Sequence, residues 1–167
     1  MIFARFFGRK PSAASRLYGA IVAVARQEKF YTDMEVPDNL DGRFDMIVLN
    51  MYLVLDRLRG VSPKFRQDLT DILFADLDRS LREMGVGDLS VSKKIRPMAE
   101  AFTGRLMAYA AAQEQGDLAM IEAVQRNIYA GATNPKANFL VKWISDARAT
   151  LAKNTDEALV GGELNLS

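Results

Sequence analysis

One stretch of the chain restricts the fold more than any other, because it is apolar on nearly every side of a helix. It runs from Met46 to Leu55 and is interrupted only by Asn50. A helix that is apolar all round is typical of the buried centre of a domain. The stretch is far shorter than the roughly 20 residues needed to span a bilayer. We therefore predict a central, buried helix over residues 42–59.

Segments on both sides of this stretch carry apolar residues at helical spacing, and none shows the alternation of a strand. The predicted helices cover residues 14–30, 42–59, 62–84, 92–115, 118–129 and a segment opened by Asn134 and Pro135. The chain has 167 residues, which is the usual size of one domain. We predict an all-α fold, in which a single compact domain of about six helices surrounds the central buried helix.

The two ends of the chain differ in character from the domain between them. Residues 1–11 form a basic, aromatic N-terminal arm, and residues 12–153 form the helical domain. Residues 154–167 form a polar C-terminal tail, whose end we expect to be disordered. Residues 85–92 are predicted to be a loop, with Pro97 near the start of the next helix, where it could kink the first turn.

The composition excludes several classes of function. The chain has no cysteine and no histidine, so it lacks thiolate nucleophiles, imidazole acid–base groups and the usual zinc ligands. No pair of carboxylates has a recognisable catalytic spacing either. We therefore expect no enzyme activity, no catalytic residue, no metal and no cofactor. The net charge of +1 gives no basic excess, so we predict no direct nucleic-acid binding.

The N-terminal arm has the composition of a peptide that rests on a membrane surface. Aromatic and aliphatic side chains enter the lipid interface, and cations attract anionic headgroups. An arm that folds back onto the domain is the alternative. The candidate membrane-binding residues are Ile2, Phe3, Arg5, Phe6, Phe7, Arg9 and Lys10.

Asp76 lies inside the apolar stripe of the third predicted helix. A carboxylate at such a position must be paired, hydrogen-bonded or exposed at a groove. Arg79 follows three residues later and could reach it across one helical turn. A structural ion pair and a partner-binding position are both open interpretations of Asp76.

Two long motifs resemble the ubiquinol-cytochrome c chaperone family. In residues 30–60 an aromatic pair and a short acidic loop are followed by DGRFD and a long apolar helix. In residues 74–106 FADLDRSLREMGVGD is followed by a basic helix start and MAEAFTGR. The resemblance covers roughly residues 16–112 and is nearly continuous. We identify the chain on these residues as similar to bacterial members of that family.

The resemblance implies an assembly chaperone that binds newly made, immature cytochrome b and promotes biogenesis of the ubiquinol–cytochrome c reductase complex. It also implies a cytoplasmic protein, peripheral to the inner face of the cytoplasmic membrane, that could act with a small helical co-chaperone or the ribosome. A membrane-associated helical adaptor with a different client is the alternative. The candidate partner-binding residues are Asp41, Arg43, Asp76, Arg79, Arg82, Asp88 and Lys93.

Overall fold

The computed structural model describes residues 10–166, which fold into helices joined by short connections and contain no strand. In chain order the helices are α1 Ala13–Ala25, α2 Glu28–Thr32, α3 Leu40–Arg57, α4 Pro63–Glu83, α5 Asp88–Gln115, α6 Asp117–Ile128, α7 Ala137–Leu151 and α8 Asp156–Val160. The six long helices correspond to the six predicted ones, and the all-α prediction is confirmed. The two additional helices, α2 and α8, are single turns of five residues each.

Helix α3 forms the centre of the domain, as its all-round apolar sequence predicts. Its residues from Phe44 to Leu55 are all buried, including the polar residues Asp45 and Asn50. It packs against α1, α5, α6 and α7, so its different sides face different helices. A helix surrounded in this way needs apolar side chains in every direction.

Local capping residues set where the central helices begin. Asn39 precedes α3, and its side chain accepts a hydrogen bond of 2.9 Å from the Gly42 amide. Ser62 does the same for α4, where Pro63 occupies the first helical position. Both arrangements satisfy amides that have no partner within the helix.

The predicted bounds of two helices are wrong. The predicted helix over residues 14–30 ends at Ala25, and α2 begins after a break at Arg26 and Gln27. Helix α5 begins at Asp88, so much of the predicted loop over residues 85–92 is helical. Gly87 supplies the extended backbone before that helix, and Pro97 then lies well inside α5 rather than near its start.

The tail is part of the folded domain up to residue 166, so the prediction that its end is disordered is wrong for these residues. Leu159 of α8 is fully buried in the core. Arg57 of α3 forms an ion pair of 2.8 Å with Asp156. The side chain of Asn154 bonds to both the amide and the carbonyl of Asn165, each at 2.9 Å. These contacts hold a polar segment that has little apolar patterning of its own.

None of the helices within residues 10–166 is both long and apolar enough to cross a membrane.

Candidate functional site

One recess of the domain is a cleft of about 630 Å³. One wall is the start of α3 with the loop before it, and the opposite wall is the N-terminal half of α5. The end of α6 closes one side, and Leu81 of α4 contributes to the lining. We call this recess the α3–α5 cleft. It lies where the start of α3 and the end of α6 approach α5, so its lining combines loop residues with helix side chains.

The lining of the α3–α5 cleft is mostly apolar. Its apolar residues are Pro37, Leu40, Phe44, Leu81, Pro97, Met98, Ala101, Ile128 and Ala130. Leu40 is half exposed, at 49% of its surface. Proline has no amide hydrogen, so the Lys93 carbonyl has no helical donor at Pro97. An apolar recess of this size suits the side chains of an apolar or amphipathic segment.

Charged residues surround this apolar lining, and most of them are cations. Asp41, Lys93, Lys94 and Arg126 lie at exposed positions along the cleft. Within residues 10–166, neither Lys93, Lys94 nor Arg126 forms an ion pair. Three unpaired cations and one carboxylate give the rim a positive balance. Charges at a rim of this kind influence the choice and register of a partner more than its affinity.

An ion pair at the base of the cleft joins its two walls. Arg105 of α5 approaches Asp45 of α3 to 2.7 Å, and the Asp45 side chain is only 7% exposed. The Arg105 guanidinium also lies 5.7 Å from the centre of the Phe44 ring. The pair thus spans the α3–α5 contact directly beneath the apolar lining. Removing one partner of such a pair leaves an uncompensated buried charge.

Tyr109 lies one turn beyond Arg105 and belongs to the same buried polar group. Burial raises the pKa of its hydroxyl, and the nearby Asp45 carboxylate adds to that rise. Its ring packs against Tyr52 with centroids 5.5 Å apart. Among the residues that the structure describes, the Tyr109 hydroxyl has no hydrogen-bond partner. The base of the cleft therefore contains polar groups held in an otherwise apolar core.

The stability of the protein should fall as the pH rises through neutrality because of Asp45. Burial raises the pKa of its carboxyl to about 7, although Arg105 acts to lower it and Asp41 to raise it further. The unfolded chain loses this proton near pH 4. Between these two pH values the folded state therefore binds one more proton than the unfolded chain, and this proton stabilises the fold. The stabilisation is fully present below pH 4 and is lost as the pH rises through 7.

Urea unfolding of the wild type and of Asp45→Asn at pH 5 and pH 8 measures this contribution. Between the two pH values, we expect the wild type to lose on the order of 2 kcal/mol of unfolding free energy relative to the variant. The other carboxylates cancel in this comparison, because both proteins contain them. Equal pH dependence of the two proteins would show that Asp45 titrates at its ordinary value.

The structure brings only two of the candidate partner-binding residues into the α3–α5 cleft. These are Asp41 and Lys93. Arg43 points to another recess, where it forms an ion pair of 2.8 Å with Asp38. Arg82 forms ion pairs with Asp78 and with Asp88. The candidate residues Arg82 and Asp88 therefore pair with each other across the turn between α4 and α5.

Asp76 accepts a hydrogen bond of 2.9 Å from the hydroxyl of Tyr18, which joins α4 to α1. The bonded partner of this carboxylate is therefore Tyr18 of α1 and not Arg79, the partner that the sequence suggested. Burial raises the pKa of the Tyr18 phenol, with Asp76 adding to the rise and the Arg79 charge opposing it.

Of the arm residues, Lys10 is described and exposed, and the other candidate membrane-binding residues lie outside the described part.

Asp45, Lys94, Arg105 and Arg126 were not predicted from the sequence to be members of a site. The sequence did contain an indication for Asp45. This residue directly precedes the all-round apolar stretch, so it had to lie inside the buried core or at the edge of that core. Arg105 lies four residues from both Ala101 and Tyr109, which places it on one face of α5 with two inward residues.

Within residues 10–166, no group of three or more Asp or Glu residues is arranged to hold a metal ion.

Comparisons with known proteins agree with the motifs. The family described as ubiquinol-cytochrome C chaperone matches residues 32–166, which include every residue lining the α3–α5 cleft. The crystal structure of the Cbp3 homolog from Brucella abortus is similar to this chain, with 37% sequence identity and a TM-score of 0.81. The similarity covers 93% of this chain and 88% of that one. No curated protein sequence gives a significant match.

Proposed function

The chain belongs to the ubiquinol-cytochrome C chaperone family, and we propose that it is an assembly chaperone of the ubiquinol–cytochrome c reductase complex that holds immature cytochrome b in the α3–α5 cleft. The family match carries this proposal, because it covers four-fifths of the chain's length and the whole cleft. The match also extends the resemblance seen in the sequence beyond residue 112 to residue 166.

The chemistry of the cleft supports the client assignment. A membrane protein that has not yet received its haem exposes apolar helix surface, together with polar groups meant for the cofactor. The apolar lining built from Phe44, Met98 and Ile128 would cover such a surface. Lys93, Lys94 and Arg126 would pair with acidic residues or with helix C-termini of the client. Binding of this kind shields the client without requiring any chemical step.

We propose no catalytic residue, and the name of the family describes a chaperone. A client made at the membrane requires a chaperone close to it. Peripheral contact with the inner face of the cytoplasmic membrane is therefore part of the proposal, with the arm residues Ile2, Phe3, Phe6 and Phe7 as the contact. A small helical co-chaperone or the ribosome would be a second partner outside the cleft.

A deletion strain tests the proposed function. Its membranes should lose most of their cytochrome b protein and the haem b absorbance of the reductase complex, while other respiratory complexes persist. The wild-type gene should restore both signals. Normal cytochrome b in the deletion strain would contradict the client assignment and favour an adaptor with a different client.

A further inference from the structure

A second recess lies beside the start of α1 and has a different chemistry. It has a volume of about 420 Å³ between the first turn of α1, the first half of α4 and α8. We call it the α1–α4 groove. Its apolar lining comes from Ala13, Ala14, Phe65, Ile72 and Val160.

The charges of the α1–α4 groove are exclusively acidic among the described residues that line it. Asp68 and Asp71 lie one turn apart on α4. Asp68 pairs with the exposed Lys64 at 2.9 Å, and Asp71 accepts a hydrogen bond of 2.7 Å from Gln67. Contacts of this kind within one exposed helix are weak, so both carboxylates can accept another cation.

The described chain starts at the edge of this groove and is held there. The guanidinium of Arg16 donates to the carbonyl of Pro11 and to that of Gly161, each at 2.7 Å. These bonds attach Pro11, two residues before α1, to the end of α8, and Val160 of that helix lines the groove. Residues 1–9 are therefore joined through Lys10 to a point of the domain beside the groove.

The sequence of residues 1–9 complements the groove in both respects. It contributes the apolar residues Ile2, Phe3, Phe6 and Phe7 and the cations Arg5 and Arg9, and it has no acidic residue. We propose that residues 1–9 dock in the α1–α4 groove of the same molecule. Their aromatic rings cover Phe65 and Ile72, and their arginines pair with Asp68 and Asp71. An anionic lipid headgroup does not suit this groove, since the two carboxylates would repel it.

Docking has a consequence for membrane contact. The aromatic side chains that cover the groove are the same ones that would enter a lipid interface. A single arm cannot do both at once, so anionic lipid and the groove compete for residues 1–9. A molecule whose arm is free then binds membranes more tightly than a molecule whose arm is docked. The α3–α5 cleft is the same in both states.

Thiol crosslinking tests the docking directly, because the chain has no cysteine of its own. Cysteines are introduced as Gly8→Cys and Ala75→Cys, which spare every aromatic and basic residue of the arm. Ala75 is exposed on α4, one turn beyond Asp71. A short bifunctional thiol reagent should join the two cysteines within one molecule, at a rate that does not depend on protein concentration.

Matched variants separate docking from chance encounters. Gly8→Cys paired with Ala149→Cys, an exposed position on α7, should crosslink poorly. Adding Asp68→Lys and Asp71→Lys to the first pair should lower its crosslinking rate by about fivefold, as expected when two exposed ion pairs become repulsions. Circular dichroism checks that each variant is folded. Equal rates for the two cysteine pairs, or an unchanged rate after charge reversal, would overturn the proposal.

Two further outcomes are decisive. A covalent dimer in place of the intramolecular product would mean that the arm enters the groove of a second copy, and would also overturn the proposal. Phosphatidylglycerol vesicles should slow the intramolecular crosslink, whereas uncharged phosphatidylcholine vesicles should not. An unchanged rate in protein that floats with phosphatidylglycerol vesicles would show that docking and membrane contact do not compete.

Discussion

Replacing Gly42 by alanine should destabilise the protein by roughly 3 kcal/mol or more, because the site has no room for a side chain. A β-carbon at this position would lie 1.9 Å from the carbonyl oxygen of Pro37 and 2.9 Å from its carbonyl carbon. Both are backbone atoms, so relief requires the loop before α3 to move. The loop is held in turn by the Val36 amide, which donates to the Phe30 carbonyl at 3.0 Å.

Gly104→Ala is the matched control for this substitution. Gly104 lies inside α5, and a β-carbon there would have no neighbour within 4 Å. Alanine is a better helix former than glycine, so this variant should gain about 0.5–1 kcal/mol. Urea unfolding measures the change in unfolding free energy for both variants. Equal stabilities for Gly42→Ala and the wild type would show that the loop yields without cost, and that the close approach does not fix this wall of the α3–α5 cleft.

Features that depend on a few neighbouring residues were predictable from the sequence. The all-round apolar stretch identified α3 as the buried centre, and Ser62 followed by Pro63 marked the start of α4. Capping and helical periodicity act over one or two turns, so the residues responsible are close together in the chain. The motifs in residues 30–60 and 74–106 also indicated the family, which is confirmed.

The ordered tail was not predictable in the same way. Its contacts join residues far apart in the chain, such as Arg57 with Asp156 and Arg16 with Gly161. The segment itself is polar, and its apolar residues show no repeat long enough to indicate a helix. Its order comes from the surface that the rest of the domain presents to it, which local patterns do not describe.

The composition of the candidate site was only partly predictable for a similar reason. Charged residues within the motifs were selected as a rim, but the structure distributes them over the α3–α5 cleft, the turn between α4 and α5, and the contact of Asp76 with Tyr18. Which charges meet depends on how α3 crosses α5. The pair of Asp45 with Arg105 is separated by 60 positions of the chain, and no spacing rule connects them.

Reversing the charge of the cleft should abolish most client binding if the proposed function is right. Lys93→Glu with Lys94→Glu replaces two unpaired cations on the α5 wall by anions and leaves the apolar lining intact. The change turns attraction for acidic client groups into repulsion. We expect the amount of bound cytochrome b to fall by about tenfold, the equivalent of roughly 1.4 kcal/mol.

Cell-free translation supplies the client for this measurement in its haem-free state. Cytochrome b is synthesised in the presence of tagged chaperone, and the fraction that co-precipitates is compared between variants. Lys142→Glu with Lys153→Glu is the matched control, since it changes the net charge equally at exposed positions outside the cleft. The control should retain binding near the wild-type level.

The pattern of the two variants locates the binding surface. Loss in the cleft variant alone would support the α3–α5 cleft as the client site. Equal loss in both would mean that overall charge matters rather than this rim, and retention in both would place the client elsewhere on the domain. High salt should weaken wild-type binding toward the level of the cleft variant, because screening removes the attraction of exposed charges but leaves the apolar contact.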